Sequence, residues 1–306
     1  VEVSLPLPPL FDPDLSLVSL QRSSFAVPCH FSMKRRAVRR LVDLDGALSL
    51  VEFEFPAGGA ELHVRLLASR TGEGGEAGTV SAERLGRVAY ALWGLGDDLA
   101  GCYATLGDDP QLALVLSRYR GMRLFRAPDL YEALLVAMLG QQISVRAANA
   151  CRVRLIDALG EQMEVAGVTY AAYPAPARLM LATVEDLRSV GTGVQKARYL
   201  HALAEAALSG KLQPEVFEDL SVEEGTALLC RVPGVGRWTA EVALLRGLGR
   251  VDAFPAGDLG LQVAVQRVFG LEQRPSESQL RVLAERWKPW RGYVAHYLWS
   301  YLRDST

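Results

Sequence analysis

Cysteine is scarce in this chain and poorly spaced for chemistry. Of 306 residues only four are cysteine, namely Cys29, Cys102, Cys151 and Cys230, and no two form a C-x-x-C pair. This spacing argues against a structural zinc, an iron–sulfur cluster or a disulfide framework, and leaves four lone thiols suited to a core. Long apolar runs are missing as well. Stretches such as ALLVAMLG at 133–140 fall far short of the ~20 residues that a membrane-spanning helix needs, so no membrane partner is expected. The opening VEVSLPLPPLFDP has no basic region ahead of an apolar run, so no secretory signal is expected and cytoplasmic residence follows by default. The four histidines, His30, His63, His201 and His296, stand in no metal or triad spacing. Neither a repeat of fixed period nor a low-complexity tract is present.

What is there is the composition of a globular protein, half hydrophobic and 22% charged, with length enough for a large core in two domains or one subdivided domain. The net charge of −2 looks unsuited to an anionic partner until it is divided along the chain. Residues 1–125 carry 13 basic and 15 acidic side chains, 126–230 carry 9 and 13, and 231–306 carry 11 and 7. The basic excess is confined to the last quarter, which nudges that region towards an anionic ligand.

Period-2 text dominates from about Leu15 to Leu67, as in SFAVPCHFSM and ALSLVEFEFPAGGAELHVRLLA, with Gly58 and Gly59 at a hairpin position,. An antiparallel sheet is expected there, with RRAVRRLVD at 35–43 either its edge or a short helix. RTGEGGEAG at 70–78 reads as a flexible connection. From Ser81 onward apolar residues recur at helical spacing in many short runs stopped by Gly or Pro, which predicts a compact helical domain.

One corner carries more than packing. In LLCRVPGVGRWTAEVALL at 228–245, Pro233 ends one helical run, and the glycines permit positive φ and close backbone approach before the next run. The amides of Gly234 and Gly236 would then face outward at a helix N-terminus, an anion site open to a phosphate of an extended backbone, with the Thr239 hydroxyl one turn on. A tight turn without a ligand is the plain alternative. Downstream, VDAFPAGDLGLQ sets Asp258 at the start of another helix after a rigid turn, where it is a helix cap or a fixed carboxylate able to stabilise positive charge.

Together these segments resemble the helix-hairpin-helix DNA glycosylase superfamily, and within it the 3-methyladenine DNA glycosylase II (AlkA) type. The resemblance rests on LLCRVPGVGRWTAEVALLRGLGRVDAFPAGDLGL, on LYEALLVAMLGQQISVRAA at 130–148 and on ERWKPWRGYVAHYLW at 285–299. It implies an α+β protein whose mostly helical core follows a small N-terminal antiparallel β-sheet domain. The expected division is a mixed domain over 1–105 and a helical core over 106–306. That core is expected to form two subdomains flanking a cleft, with the hairpin at about 222–248.

By the same resemblance Asp258 is the catalytic carboxylate, and Asp252 a weak competitor. Gly234, Gly236 and Thr239 bind a DNA phosphate. Trp238, Trp299 and Tyr293 line the base pocket, while Trp287 and Trp290 pack in the core. Carbonyls around Cys230, Val232 and Val235 hold a monovalent cation, Na+ or K+. Gln141 and Gln142 precede a helix where relatives supply a wedge for the vacated stack; capping of the 143–158 helix is their alternative. His296 is expected to be partly buried and structural. Related lyases place a Schiff-base lysine at the position of Trp238, so strand cleavage by that route is excluded.

The implied enzyme is a monomeric, monofunctional glycosylase acting on damaged double-stranded DNA, without an iron–sulfur cluster. It would excise cationic purines such as 3-methyladenine and 7-methylguanine and leave an abasic site. The alternatives are a glycosylase of the same fold for hypoxanthine or other deaminated or oxidised bases, and a non-catalytic DNA-binding protein.

Overall fold

In the computed structural model, which describes residues 1–71 and 80–305, the N-terminal part is a five-stranded antiparallel sheet. Its strands are β1 (Glu2–Pro6), β2 (His30–Ser32), β3 (Ala37–Leu44), β4 (Ala47–Glu54) and β5 (Glu61–Thr71), in the order β1-β5-β4-β3-β2. The sheet therefore begins well before Leu15, which lies in the helix Pro13–Gln21. The RRAVRRLVD segment is mostly β3, paired along its length with β4; on its other side β2 pairs only with Ala37–Arg39, so the rest of β3 is an edge, and Arg35 ends a short 3-10 helix. The expected flexible connection at 70–78 lies, from residue 72 on, outside the described residues.

Alternation in β3 divides its residues between two faces. Val38 and Val42 join the main core with Phe53, Val64 and Trp93, whereas Leu41 joins Leu50 in a second cluster. Arg39 points outward to Glu52, which also receives Arg35 and Arg65. Arg40 points inward and is fully buried, its Nη2 donating to both carboxylate oxygens of Glu132 at 2.9 and 2.8 Å. That pair fastens the sheet to the start of the helix Leu130–Gly140.

Residues 130–139 are all buried, which is why this run, apart from the paired Glu132, is apolar around its circumference. It is the axis of the helical part, packed by the helices Val145–Leu159, Val194–Leu208 and Arg237–Gly247. The helical pattern does not continue unbroken after Ser81. A hairpin of β6 (Glu161–Val165) and β7 (Val168–Ala172) interrupts it. Ala166 and Gly167, both at positive φ, form its two-residue turn. Met163, Tyr170 and Ala172 bring the hairpin onto Leu41 and Leu50 on the outer face of the sheet. No helix among the described residues is long and apolar enough to cross a membrane.

Candidate active site

The corner at 230–236 joins the helices Val222–Leu229 and Arg237–Gly247. Val232 and Val235 are buried and pin the turn, closed by the Val235 amide donating to the Val232 carbonyl at 3.0 Å. Gly234 has φ +85, and a Cβ there would lie 2.3 Å from the Tyr199 ring, so both backbone and packing demand glycine,. Gly236 differs. It is the N-cap of the second helix with no side-chain cap bond, and a Cβ built on it meets nothing within 4 Å. Its exposed, uncapped position leaves the first-turn amides presented outward,.

Thr239 is not part of that presentation. The helix turns it inward to 1% exposure, where its hydroxyl accepts a bond from Gln141 Nε2 at 2.8 Å. Gln141 is likewise engaged internally. Its Nε2 also donates to the Gly234 carbonyl at 2.9 Å, and its own carbonyl accepts from Lys196 Nζ at 3.0 Å. Neither glutamine caps the following helix, which is capped by Ser144. Gln142 is exposed at φ +61, beside Ile143 at 43% exposure. Of the two expected DNA contacts in this loop, only Gln142 faces solvent.

Asp258 is reached by a rigid route. Ala253, Phe254 and Ala256 are buried, the Asp258 amide donates to the Pro255 carbonyl at 2.9 Å, and Gln262 Nε2 donates to the Ala256 carbonyl at 2.9 Å. Its side chain caps the helix Leu259–Val268, Oδ1 accepting the Leu261 amide at 2.8 Å. Trp299 Nε1 donates to the same oxygen and Trp238 Nε1 to Oδ2, each at 3.0 Å. Three helices thus converge on one partly exposed carboxylate whose partners are all donors. The resemblance gave the two tryptophans only as pocket walls, and their grip on the carboxylate is additional.

Tyr293 does not join them. It is fully buried, its hydroxyl donates to Asp97 Oδ2 at 2.6 Å, and burial together with Asp97 pushes that phenol well above its usual range. It lies about 1.7 turns from Trp299 on the same helix, on the face turned to the core,. Asp252 is held by Arg291 through two bonds of 2.8 Å. Trp287 is buried with its Nε1 on Asp109, and Trp290 packs against Tyr293. His296 is buried, more completely than expected.

The basic excess of the last quarter is partly neutralised. Arg237 pairs with Glu223 and Glu241, and Arg281 with Glu241 and Glu277. Two cavities, of about 200 and 230 Å³, lie along Arg39 and Tyr170 and along Arg237 and Arg291. Neither is lined by Asp258, whose position is set by the donors that surround it. Among the described residues no group of His, Cys, Asp and Glu could hold a metal ion.

Residues 135–290 match the family model described as HhH-GPD superfamily base excision DNA repair protein. The chain belongs to that superfamily. A DNA-3-methyladenine glycosylase of Bacillus subtilis is 26% identical over 98% of this chain and 97% of its own length. The 3-methyladenine DNA-glycosylase structure from Archaeoglobus fulgidus superposes with a TM-score of 0.82 at 23% identity, covering 99% of both chains, and shares the fold. The Schizosaccharomyces pombe 3-methyladenine DNA glycosylase Mag1, in complex with abasic DNA, gives 0.56 at 29% identity. That match covers 65% of this chain and 95% of the other.

Within this superfamily member the contrast between the two glycines is testable. Gly236→Ala is expected to melt like wild type, because its Cβ enters open space; on the expectation that these amides take a DNA phosphate, it should weaken binding of duplexes of any sequence by about tenfold. Gly234→Ala should instead lose stability by more than ~1 kcal/mol. Equal melting of all three proteins, or a sequence-selective loss in Gly236→Ala, would contradict these roles.

Proposed function

We propose that the chain is a monofunctional DNA glycosylase that turns alkylated, cationic purines out of duplex DNA and hydrolyses their N-glycosidic bond, leaving an abasic site. The observation that carries this reading is the Asp258 carboxylate, fixed by two indole N–H groups and a helix amide, in a chain whose hairpin leaves the N-terminus of its second helix without a side-chain cap. 3-Methyladenine and 7-methylguanine are the proposed leaving bases. As the C1′–N bond breaks, the electron pair neutralises the base's positive charge, so no acid need protonate it. The sugar becomes oxocarbenium-like, and Asp258 stabilises that charge until water adds at C1′ and releases a proton. Trp238 and Trp299 offer ring faces to a cationic base, an attraction of ~0.5–2 kcal/mol.

The vacated stack is proposed to be filled from the exposed 142–143 segment. The carbonyls of Cys230, Val232 and Val235 are proposed ligands for Na+ or K+, hard oxygen donors of the kind such ions take. The Val232 oxygen already accepts one amide bond and keeps a lone pair for the ion, which would stiffen the turn. Action as a cytoplasmic monomer on chromosomal DNA completes the proposal.

The test is incubation with alkylated duplex DNA. Released 3-methyladenine and 7-methylguanine should appear by chromatography while the strand stays intact until alkali is added, and borohydride should trap no protein–DNA adduct. Absence of released base from folded protein would remove the reading; a trapped adduct would remove its monofunctional part.

A further inference from the structure

Arg246 lies in the middle of the site's supporting layer, and the reaction as described gives it no task. It is 5% exposed on the helix Arg237–Gly247, and among the described residues no carboxylate pairs with it; the ionisable groups acting on it are Arg303 and Tyr293. Burial, aided by Arg303, pushes the guanidinium down to about 9, which leaves it charged at neutral pH. Its Nη1 donates to the Phe125 carbonyl at 2.9 Å, and its Nη2 lies 3.5 Å from His296 Nδ1.

His296 is itself fixed by the Arg123 carbonyl, 3.2 Å from Nε2, so Nε2 carries the proton and Nδ1 faces the guanidinium as an acceptor,. Burial and Arg246 hold His296 well below its usual range, in the neutral form this arrangement needs. The guanidinium carbon lies 5.9 Å from the Trp299 ring centroid and 5.4 Å from that of Phe25. An aliphatic side chain would fill this space without the cost of burying a charge. What a guanidinium adds is a planar cation with a directional attraction for an aromatic face.

We propose that Arg246 is a positioning residue for base excision: held by the Phe125 carbonyl, it seats the Trp299 indole so that Nε1–H meets Asp258 Oδ1. The inference rests on Asp258 being the catalytic carboxylate. Arg246→Met is expected to slow single-turnover excision about 10- to 100-fold, as a displaced catalytic group does. Affinity for an abasic-site duplex should stay within about twofold, since the lost interaction serves the reaction and not docking.

The decisive measurement is a double-mutant cycle with Trp299→Phe, which keeps a ring but removes the N–H. In that background Arg246→Met should change the rate by less than about twofold, because the two act through one bond. Full additivity of the two losses, or a wild-type rate in Arg246→Met alone, overturns the proposal. Should Arg246→Met not fold, Arg246→Lys, which keeps the charge but not the plane, carries the same cycle with the same outcomes. Full activity in Asp258→Asn would remove the underlying reading instead; an inactive Asp258→Asn beside an additive cycle would remove only this inference.

Discussion

Asp258→Asn is expected to lower excision of methylated purines about 10³-fold, the loss typical of removing a main electrostatic stabiliser from an active site, with a melting temperature close to wild type. The substitution separates the N-cap duty of the carboxylate from the catalytic duty that the proposed function gives it. As N-cap, Asp258 accepts the Leu261 amide through Oδ1, and an asparagine oxygen does this equally well. As a stabiliser of positive charge it needs its full negative charge, which asparagine lacks.

The amide also fits its surroundings poorly. With its oxygen kept towards Leu261 and Trp299, its NH2 group faces the Trp238 N–H, donor against donor,. Excision should therefore fall steeply, while at this partly exposed site the single lost hydrogen bond lowers thermal unfolding only slightly,. Undiminished release of methylated base by folded Asp258→Asn would end the catalytic assignment.

The second large effect concerns stability. Glu132→Ala is expected to cost about 3–5 kcal/mol in denaturant unfolding, because it strands the buried Arg40 guanidinium without its counter-charge. Arg40 has no exposed surface, and both Glu132 oxygens accept its Nη2. Its Nη1 already lacks a hydrogen-bond partner among the described residues, so little else there would compensate. Replacing both residues, as Arg40→Met with Glu132→Leu, should recover most of the loss, since a well-packed apolar pair often matches or exceeds a buried ion pair. A double variant as unstable as the single, or a single costing under ~1 kcal/mol, would show that the sheet is held to the helices by apolar packing alone.

The parts of this protein legible in its sequence are those governed by local rules. The Pro-Gly-Val-Gly corner and the Asp258 cap each depend on a few adjacent residues, and the segment order of sheet then helices follows from a change of period. The hairpin at 161–172 was hidden because its turn is Ala-Gly. Alanine at positive φ is uncommon, and the usual signal there is Asn-Gly or Asp-Gly.

Tyr293, Thr239 and Gln141 lie elsewhere than the resemblance implied for a different reason. A resemblance carries a residue to a position in the chain, and periodicity does not say whether that position faces the core, a neighbouring helix or a ligand. An available clue was the arginine inside TAEVALLRG. A charge within a run buried from Thr239 to Arg246 had to be held by something, and what holds Arg246 comes from residues 25, 125, 296 and 299, far away in sequence.

Gln141 also bears on timing. Because its amide is tied to the Gly234 carbonyl and to Thr239, and its carbonyl to Lys196, the exposed 142–143 segment and the hairpin travel as one piece. On the proposed function, grasping a phosphate and filling the adjacent stack then need no separate rearrangement of the protein between them. During a search along undamaged DNA, the duration of each inspection would be set by the readiness of the base pair to open, and weakly stacked sites would delay the protein longest.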